Sequence, residues 1–185
     1  MASVLAELRS LAPARPLPAW DARGVGERQA ARLLRHHRIA VPPVPEEVIA
    51  SLPYVQVRYV RARTLAASAR WSKTRRRWVI LVNRDDTAGR QRFSLAHEFK
   101  HVIDHPVSRL IYRDRAGRSG YLDAERAADS FAAALLMPKA WVKRAFYDQG
   151  IRDPRMLGRV FDVSTAAMRV RIDHLGLLEP EAVMA

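Results

Sequence analysis

The sequence predicts an α+β fold that is mostly helical and carries a small antiparallel sheet. Apolar residues recur every three or four positions within residues 24–38 and 87–104, which is typical of helices with one buried face. Between residues 54 and 83 the pattern changes to short runs rich in valine, isoleucine and tryptophan, which favour strands. With 185 residues, of which 49% are hydrophobic and 28% charged, the chain is long enough to bury a core.

Composition limits the chemistry that the chain can perform. The sequence contains no cysteine, which excludes disulfides, thiolate nucleophiles and cysteine-bound zinc, so a metal would be held by histidine and carboxylate side chains. We find no signal-peptide pattern and no stretch long enough to span a membrane, and we expect a cytoplasmic protein with no membrane partner. The formal net charge of +13 favours a nucleic acid or an acidic protein as partner, although an arginine-biased genome explains it equally well.

The N-terminal part of the chain is predicted to begin with a flexible tail. Residues 1–22 contain three prolines and show no sustained periodicity. A helix is expected over residues 24–38; the proline-rich residues 42–45 end it and lead into a short helix at residues 46–51. We expect residues 23–150 to form the main domain, with residues 151–185 as a helical pair packed on it.

Three extended runs are expected to form the sheet. They cover residues 54–60, 67–71 and 78–83, and the last is the clearest strand. If that strand lies at the edge of the sheet, the backbone at Trp78, Ile80 and Val82 could pair with an extended peptide substrate. The alternative is that this strand belongs only to the core.

The helix predicted over residues 87–104 contains the pattern H-E-x-x-H. His97 and His101 are four residues apart, so they leave the same helix face and can bind one metal ion. Glu98 lies about 100° away round the helix and can act as a general base on a metal-bound water. The pattern would occur in about one shuffled chain in a hundred, and the alternative is a surface helix with two histidines. His105 lies too far along the axis to share the ion and is expected to cap the helix or support a ligand.

A second helix, predicted between Asp123 and Pro138, is the best source of a third ligand. Glu125 and Asp129 are four residues apart on one of its faces. Glu125 can bind the metal while Asp129 accepts a hydrogen bond from the free ring N–H of a ligand histidine. Several alanines give this helix small side chains, so it can approach the first helix closely. The alternative is an ordinary exposed acidic pair near a helix start.

The end of the chain is predicted to be helical throughout. A helix follows Pro138 and ends near Gly150, and Asp153 and Ser164 are expected N-caps of two further short helices. Joined by a tight turn and carrying several arginines, these two resemble a helix-turn-helix. The second one lacks Asn or Gln in its first turn, so a packing role is favoured over base-specific DNA binding. Weak, salt-sensitive nucleic-acid binding through the basic surface stays an expectation.

Two of these segments together resemble the ImmA/IrrE family of bacterial zinc metallopeptidases. Arg92–His101 and Glu125–Pro138 carry the resemblance, which extends to Ile80–Asn83 before them and weakly to Phe161–Ser164 after them. It implies a zincin-like fold in which helices surround a small sheet. It also implies that the substrate is a helix-turn-helix repressor, whose cleavage would switch on phage, mobile-element or stress genes.

The resemblance also implies a role for each residue of the site. Zinc would be bound by His97, His101 and Glu125, with Glu98 as the general base. Such a hydrolase also needs a donor for the oxyanion of its tetrahedral intermediate, and the candidates are Tyr112, Arg113, Tyr121 and His174. Two other functions stay open: a DNA-binding regulator with a structural or vestigial metal site, and a module that sequesters a repressor without cutting it.

Overall fold

The structure is a computed structural model that describes residues 3–114, 117 and 119–177, with residues 19 and 20 described by their backbone alone. Within these residues the chain forms helices around one three-stranded sheet, which confirms the predicted α+β class. In chain order the elements are α1 (Val4–Ser10), α2 (Ala19–His36), α3 (Glu47–Ala50), β1 (Val55–Val60), β2 (Ala67–Ser72), β3 (Arg77–Asn83), α4 (Ala88–Asp104), α5 (Ser108–Ile111), α6 (Gly120–Leu136), α7 (Lys139–Tyr147), α8 (Pro154–Phe161) and α9 (Thr165–His174). None of the described helices is both long and apolar enough to cross a membrane.

The sequence predicted a flexible tail over residues 1–22, but the described part of it, residues 3–22, is packed into the fold. Residues 4–10 form α1, and its Leu8 is fully buried in the main hydrophobic core. The guanidinium of Arg9 donates hydrogen bonds to the carbonyls of Val102 and Ile103, each at 3.1 Å, in the last turn of α4. The three prolines follow α1 and interrupt no helix. A helix of 7 residues is too short to show sustained periodicity, which is why the sequence did not reveal it.

The three strands form a mixed sheet rather than the expected antiparallel one. Their order is β1-β3-β2, with β1 parallel and β2 antiparallel to β3. Trp78, Ile80 and Val82 therefore lie on the central strand, where they are at most 8% exposed. Both backbone edges of β3 are paired, so the prediction that these residues form an edge for substrate is wrong. Periodicity identifies a strand but not its neighbours, because strand order depends on pairing between distant residues.

β2 is an edge strand that packs against α4. The N–H of Asn83 donates to the carbonyl of Ala66 at 2.8 Å, so these two residues form a hydrogen-bonded pair of the antiparallel ladder between β3 and β2. Along such a ladder, hydrogen-bonded pairs alternate with pairs whose backbone groups point away from each other. The backbone groups of Ala67, Ala69 and Trp71 consequently point away from β3. The free edge that the sequence placed on β3 is thus found on β2.

α4 packs against the sheet and also against α6. The rings of Phe99 on α4 and Phe131 on α6 are fully buried, with their centroids 6.2 Å apart. Ala128 and Ala132 of α6 are fully buried as well, and these small side chains let the two helices approach closely, as predicted. α6 begins one turn before the predicted start at Asp123. The carboxylate of Asp114 accepts a hydrogen bond from the backbone N–H of Gly120 at 2.7 Å. This N–H is one of those in the first turn of the helix that have no partner within the helix.

The C-terminal helices α8 and α9 share the main core with the rest of the chain. The side chains of Asp153 and Ser164 cap them as predicted, each accepting a backbone N–H of the following helix. Asp162 ends α8 with a φ of 51°, a left-handed conformation that makes the tight turn between the two helices. Phe161 and Met168 are fully buried in the same cluster as Leu8 of α1. The pair is therefore packed on the body of the protein.

Candidate metal centre

The two histidines of the H-E-x-x-H pattern lie side by side on one face of α4. Their Nε2 atoms are 3.2 Å apart and their ring centroids 4.9 Å apart. The i, i+4 spacing makes this possible because one helical turn brings the two side chains to the same face. Other positions round α4 carry Phe99 and Val102, both fully buried. Burial of that apolar stripe fixes the rotation of the helix, and this rotation turns the histidines toward α6.

Glu125 of α6 completes a group of three possible ligands. Its two carboxylate oxygens lie 3.4 Å from His97 Nε2 and 3.3 Å from His101 Nε2. All three residues offer ligand atoms within 4.8 Å of one another. A tetrahedral ion with bonds near 2.0–2.1 Å holds its donor atoms about 3.3–3.4 Å apart. The two nitrogens are 3.2 Å apart, and each lies 3.3–3.4 Å from one oxygen of the Glu125 carboxylate, so the group is compact enough to hold a single ion of the size of zinc.

Asp129, one turn after Glu125, holds the ring of His97 in place. Its Oδ1 lies 2.9 Å from His97 Nδ1, which is hydrogen-bond distance. When Nδ1 carries the proton and donates to this carboxylate, Nε2 keeps its lone pair for a metal. Burial acts to lower the pKa of His97, but the hydrogen bond and charge of Asp129, with the charges of Glu125 and Glu98, outweigh it and raise this pKa. The structure brings Asp129 to the position that the sequence suggested.

The environment of the second histidine favours its neutral form. Burial, followed by the charge of His97, lowers the pKa of His101 despite the opposing effect of Glu125. A neutral imidazole is the form that binds a metal.

His105, by contrast, packs its ring against Trp78, with centroids 4.8 Å apart, and is not among the three convergent ligands.

Glu98 lies beside this group without belonging to it. It is half-buried, and burial raises its pKa above the ordinary value for a glutamate, while the charge of His97 and the backbone N–H of Ala69 act in the opposite direction. A carboxylate with a raised pKa accepts and releases a proton more easily near neutral pH than an ordinary one does. Ala69 is one of the residues at the free edge of β2. Glu98 therefore lies between the ligand group and that edge.

A buried polar group next to the ligands was not predicted from the sequence. Lys100 and Asp104 are one turn apart on α4, and Lys100 Nζ lies 2.5 Å from Asp104 Oδ2, with the lysine side chain only 1% exposed. The hydroxyl of Tyr112 donates to the same oxygen at 2.6 Å. Burial lowers the pKa of Lys100 and raises that of Tyr112. The i, i+4 spacing of a lysine and an aspartate was visible in the sequence, but such pairs are usually exposed.

The four candidates for stabilising an oxyanion have different positions. Tyr112 is wrong for this role, because its hydroxyl is occupied by Asp104 in the buried group. Tyr121 is 69% exposed on α6, one turn before Glu125. Arg113 is exposed after α5, and His174 is exposed at the end of α9. The sequence did not show these differences, because they depend on how the loops and α9 fold back onto the helix pair.

The fold and the site together define the class of protein: an H-E-x-x-H helix packed on a second helix that provides a glutamate, beside a small sheet. The chain belongs to the Peptidase_M78 family, the IrrE N-terminal-like domain, which it matches over residues 54–173. This span includes both site helices and the whole sheet. The recognition made from the sequence is thereby confirmed.

A solved structure described as a Mycobacterium tuberculosis transcriptional regulator has the same fold. The two align with a TM-score of 0.59 at 17% sequence identity, over 100% of this chain and 55% of that one. The chain thus spans about half the length of the protein that it matches. No curated protein sequence matches this chain significantly.

Proposed function

We propose that this protein is a zinc-dependent endopeptidase that cuts a protein substrate. The observation that carries the proposal is the convergence of His97, His101 and Glu125, with Glu98 beside them. The two histidine Nε2 atoms are 3.2 Å apart, and each is 3.3–3.4 Å from one oxygen of the Glu125 carboxylate. Two neutral imidazoles and one carboxylate are a ligand set that catalytic zinc uses, and they leave a fourth position free. Membership of a peptidase family supports the same conclusion.

The catalytic steps follow from the charges of the chain's own residues. A zinc ion in this site supplies Lewis-acid chemistry, acidifying water and polarising a peptide carbonyl. Glu98, with its raised pKa, is the base that takes the proton from the attacking water and then gives it to the leaving amine. Asp129 holds His97 in the correct tautomer through its 2.9 Å contact. Tyr121, Arg113 and His174 stay candidates for stabilising the oxyanion.

The free edge of β2 is the place where we expect the substrate backbone to bind. Ala67, Ala69 and Trp71 direct their backbone groups away from β3. The N–H of Ala69 contacts Glu98, and the other outward groups are those that a peptide would use. A peptide that adds to this edge as a further strand would be held by backbone hydrogen bonds whatever its side chains. Its carbonyls would then pass over the ligand group. The sequence-based prediction assigned peptide binding to β3, and we now propose β2 for that role because it is the edge strand.

We further propose that the substrate is a helix-turn-helix repressor. The support is the family resemblance, together with the large excess of basic residues, which favours an acidic protein surface as partner. The regulator with the similar fold is named for a role in transcription, which agrees with a regulatory setting. Cleavage of such a repressor would switch on the genes that it silences.

The test uses a Glu98→Gln variant, with Glu47→Gln as the matched control on an exposed site of α3. Each protein is co-expressed with helix-turn-helix repressors from its own genome, and fragments are identified by mass spectrometry alongside zinc content. We expect Glu98→Gln to keep its zinc and lose cleavage by at least about a hundredfold, since general base catalysis is worth roughly that much or more. Undiminished cleavage by Glu98→Gln would refute the mechanism, and full relief of repression without cleavage would favour sequestration.

DNA binding is the second candidate, and the capped pair α8–α9 is the observation that favours it. The turn at Asp162 and the cap at Ser164 give this pair a helix-turn-helix geometry. However, Ala166, Val170 and His174 of α9 are exposed beside a cavity shared with α6, so the body of the protein borders one row of the helix that would read bases. A mobility shift that prefers one sequence at moderate salt would support this candidate against the peptidase.

A further inference from the structure

A cavity of about 510 Å³ opens beside the ligand group. Asp129, which contacts His97, forms part of its wall, and so does Phe93, one turn before His97 on α4. From there the cavity extends between α6 and α9. Its volume lies in the range of sites that hold small ligands, about 300–1,000 Å³. The cavity therefore adjoins the ligand group through Asp129, while His97, Glu98, His101 and Glu125 are not part of its wall.

The wall of this cavity combines apolar surface with positive charge. Phe93, Met137 and Val170 contribute to its apolar part. The lining includes two carboxylates, those of Glu27 and Asp129. It also includes four basic side chains, those of Arg23, Arg126, Lys139 and Arg171. The carboxylate of Asp129 is already engaged with His97. Arg126 also lies 3.9 Å from the carboxylate of Asp123, outside the lining. The lining itself nevertheless carries more basic than acidic side chains.

Arg171 is the most unusual of these residues because it is only 6% exposed. Its Nε donates to the carbonyl of Met137 at 3.0 Å, and within the described residues its other nitrogens make no hydrogen bond and no ion pair. Burial lowers the pKa of Arg171, while Glu27 acts on it in the opposite direction from beyond ion-pair distance. A buried guanidinium costs free energy unless an anion pairs with it. An anionic group entering the cavity would supply that partner.

We propose that this cavity binds a short segment of the peptide substrate that carries an acidic side chain among apolar ones. The carboxylate pairs with Arg171 and the basic rim, and the apolar neighbours cover Phe93, Met137 and Val170. The inference rests on the proposed function, since it makes the cavity a specificity site of the peptidase. Its position next to Asp129 places the acidic residue close to, but not at, the bond that is cut.

The experiment measures binding and does not require cleavage. The zinc-loaded Glu98→Gln protein is incubated with a random library of N-acetylated, C-amidated pentapeptides, and the retained peptides are identified by mass spectrometry. We expect peptides with Asp or Glu beside Leu, Met or Val to be enriched about tenfold or more over their Asn or Gln counterparts, as for a charge-assisted buried hydrogen bond. Free N-acetylglutamate at the same concentration should not displace them.

Two pairs of variants separate the cavity from the overall charge of the protein. Val170→Trp fills the cavity from a site that is 55% exposed, and Met156→Trp makes a similar change at a 54% exposed site on α8. Arg126→Gln removes a charge from the cavity, and Arg169→Gln removes one from an exposed site outside it. We expect the first variant of each pair to lose the acidic preference and the second to keep it.

Several results would overturn the proposal. These are a library without acidic preference, a preference that survives both Val170→Trp and Arg126→Gln, an equal loss in Arg169→Gln, and displacement of the peptides by N-acetylglutamate. Failure of the peptidase proposal looks different. A protein that retains acidic peptides through the cavity but never cuts them supports this inference, whereas one that cuts peptides with no cavity-dependent preference refutes it and leaves the peptidase intact.

Discussion

Asp129 Oδ1 and His97 Nδ1 lie 2.9 Å apart, joining two helices through residues 32 positions apart in the chain. This contact selects the tautomer of His97 that leaves Nε2 free for a metal, and it also fixes the orientation of the ring. The carboxylate is 61% exposed, so its value lies in positioning the ligand rather than in the stability of the fold.

An Asp129→Asn variant is expected to bind zinc about 10–100-fold more weakly, because the amide is a poorer acceptor for the ring N–H. The measurement is a competition with a chromophoric chelator, with unfolding followed in parallel. Asp148→Asn, at an exposed site just after α7, is the control and should bind as tightly as the wild type. Equal affinity in Asp129→Asn would show that the contact does not support a metal ligand.

The Tyr112 hydroxyl should matter for stability and not for catalysis. It donates to Asp104 at 2.6 Å in a buried group, so Tyr112→Phe is expected to lower the free energy of unfolding by about 1–3 kcal/mol. Denaturant unfolding measures this change, and peptide cleavage should continue at a rate near that of the wild type. Tyr121→Phe, at a 69% exposed position, is the control for stability. Loss of cleavage in Tyr112→Phe at unchanged stability would return this residue to the catalytic site.

The same hydroxyl predicts a dependence on pH at the alkaline end. Burial, followed by the charge of Asp104, raises the pKa of Tyr112 above that of the unfolded chain. Its contribution to stability is therefore complete below about pH 10 and is lost as the pH rises further. The difference in Tm between the wild type and Tyr112→Phe should stay constant up to that pH and shrink above it. A difference that grows with alkaline pH would contradict the assignment.

Gly120 should not tolerate a side chain. A Cβ at this position would lie 2.5 Å from the carbonyl oxygen of Tyr112, and a backbone atom cannot move aside cheaply. Gly120→Ala is expected to destabilise the fold by about 1–3 kcal/mol, as overpacking does. Gly26→Ala is the matched control, since its Cβ would meet only ordinary contacts of 3.5 Å with Phe131, and alanine favours a helix interior. Thermal unfolding distinguishes the two, and equal Tm values would contradict the close approach at the start of α6.

Local spacing in the sequence identified the candidate metal ligands, and the family resemblance favoured them over the alternatives. His97 with His101, and Glu125 with Asp129, are i, i+4 pairs, and the helix period alone places each pair on one face. The convergence of the two faces was a further step, supported by the alanines of α6 that are now seen to be buried. The helix caps at Asp153 and Ser164 were predictable for the same reason, because capping depends on neighbouring residues.

Features that depend on distant residues were not predictable in this way. The position of β3 at the centre of the sheet depends on its pairing with β1 and β2, and both pairings lie outside any local pattern. The burial of Lys100 depends on Tyr112, which returns to α4 after a turn and a short helix. The position of Arg171 in a cavity wall likewise depends on the packing of α9 beside α6.

Metal content of the purified protein is the sharpest test of whether α4 and α6 hold one ion between them. We expect about one zinc per wild-type chain by elemental mass spectrometry, because three ligands from two helices surround one position. Glu125→Ala should lose most of this metal, while Glu47→Ala, at an exposed site, should retain it. Full zinc occupancy in a folded Glu125→Ala protein would contradict the claim that α4 and α6 share one ion.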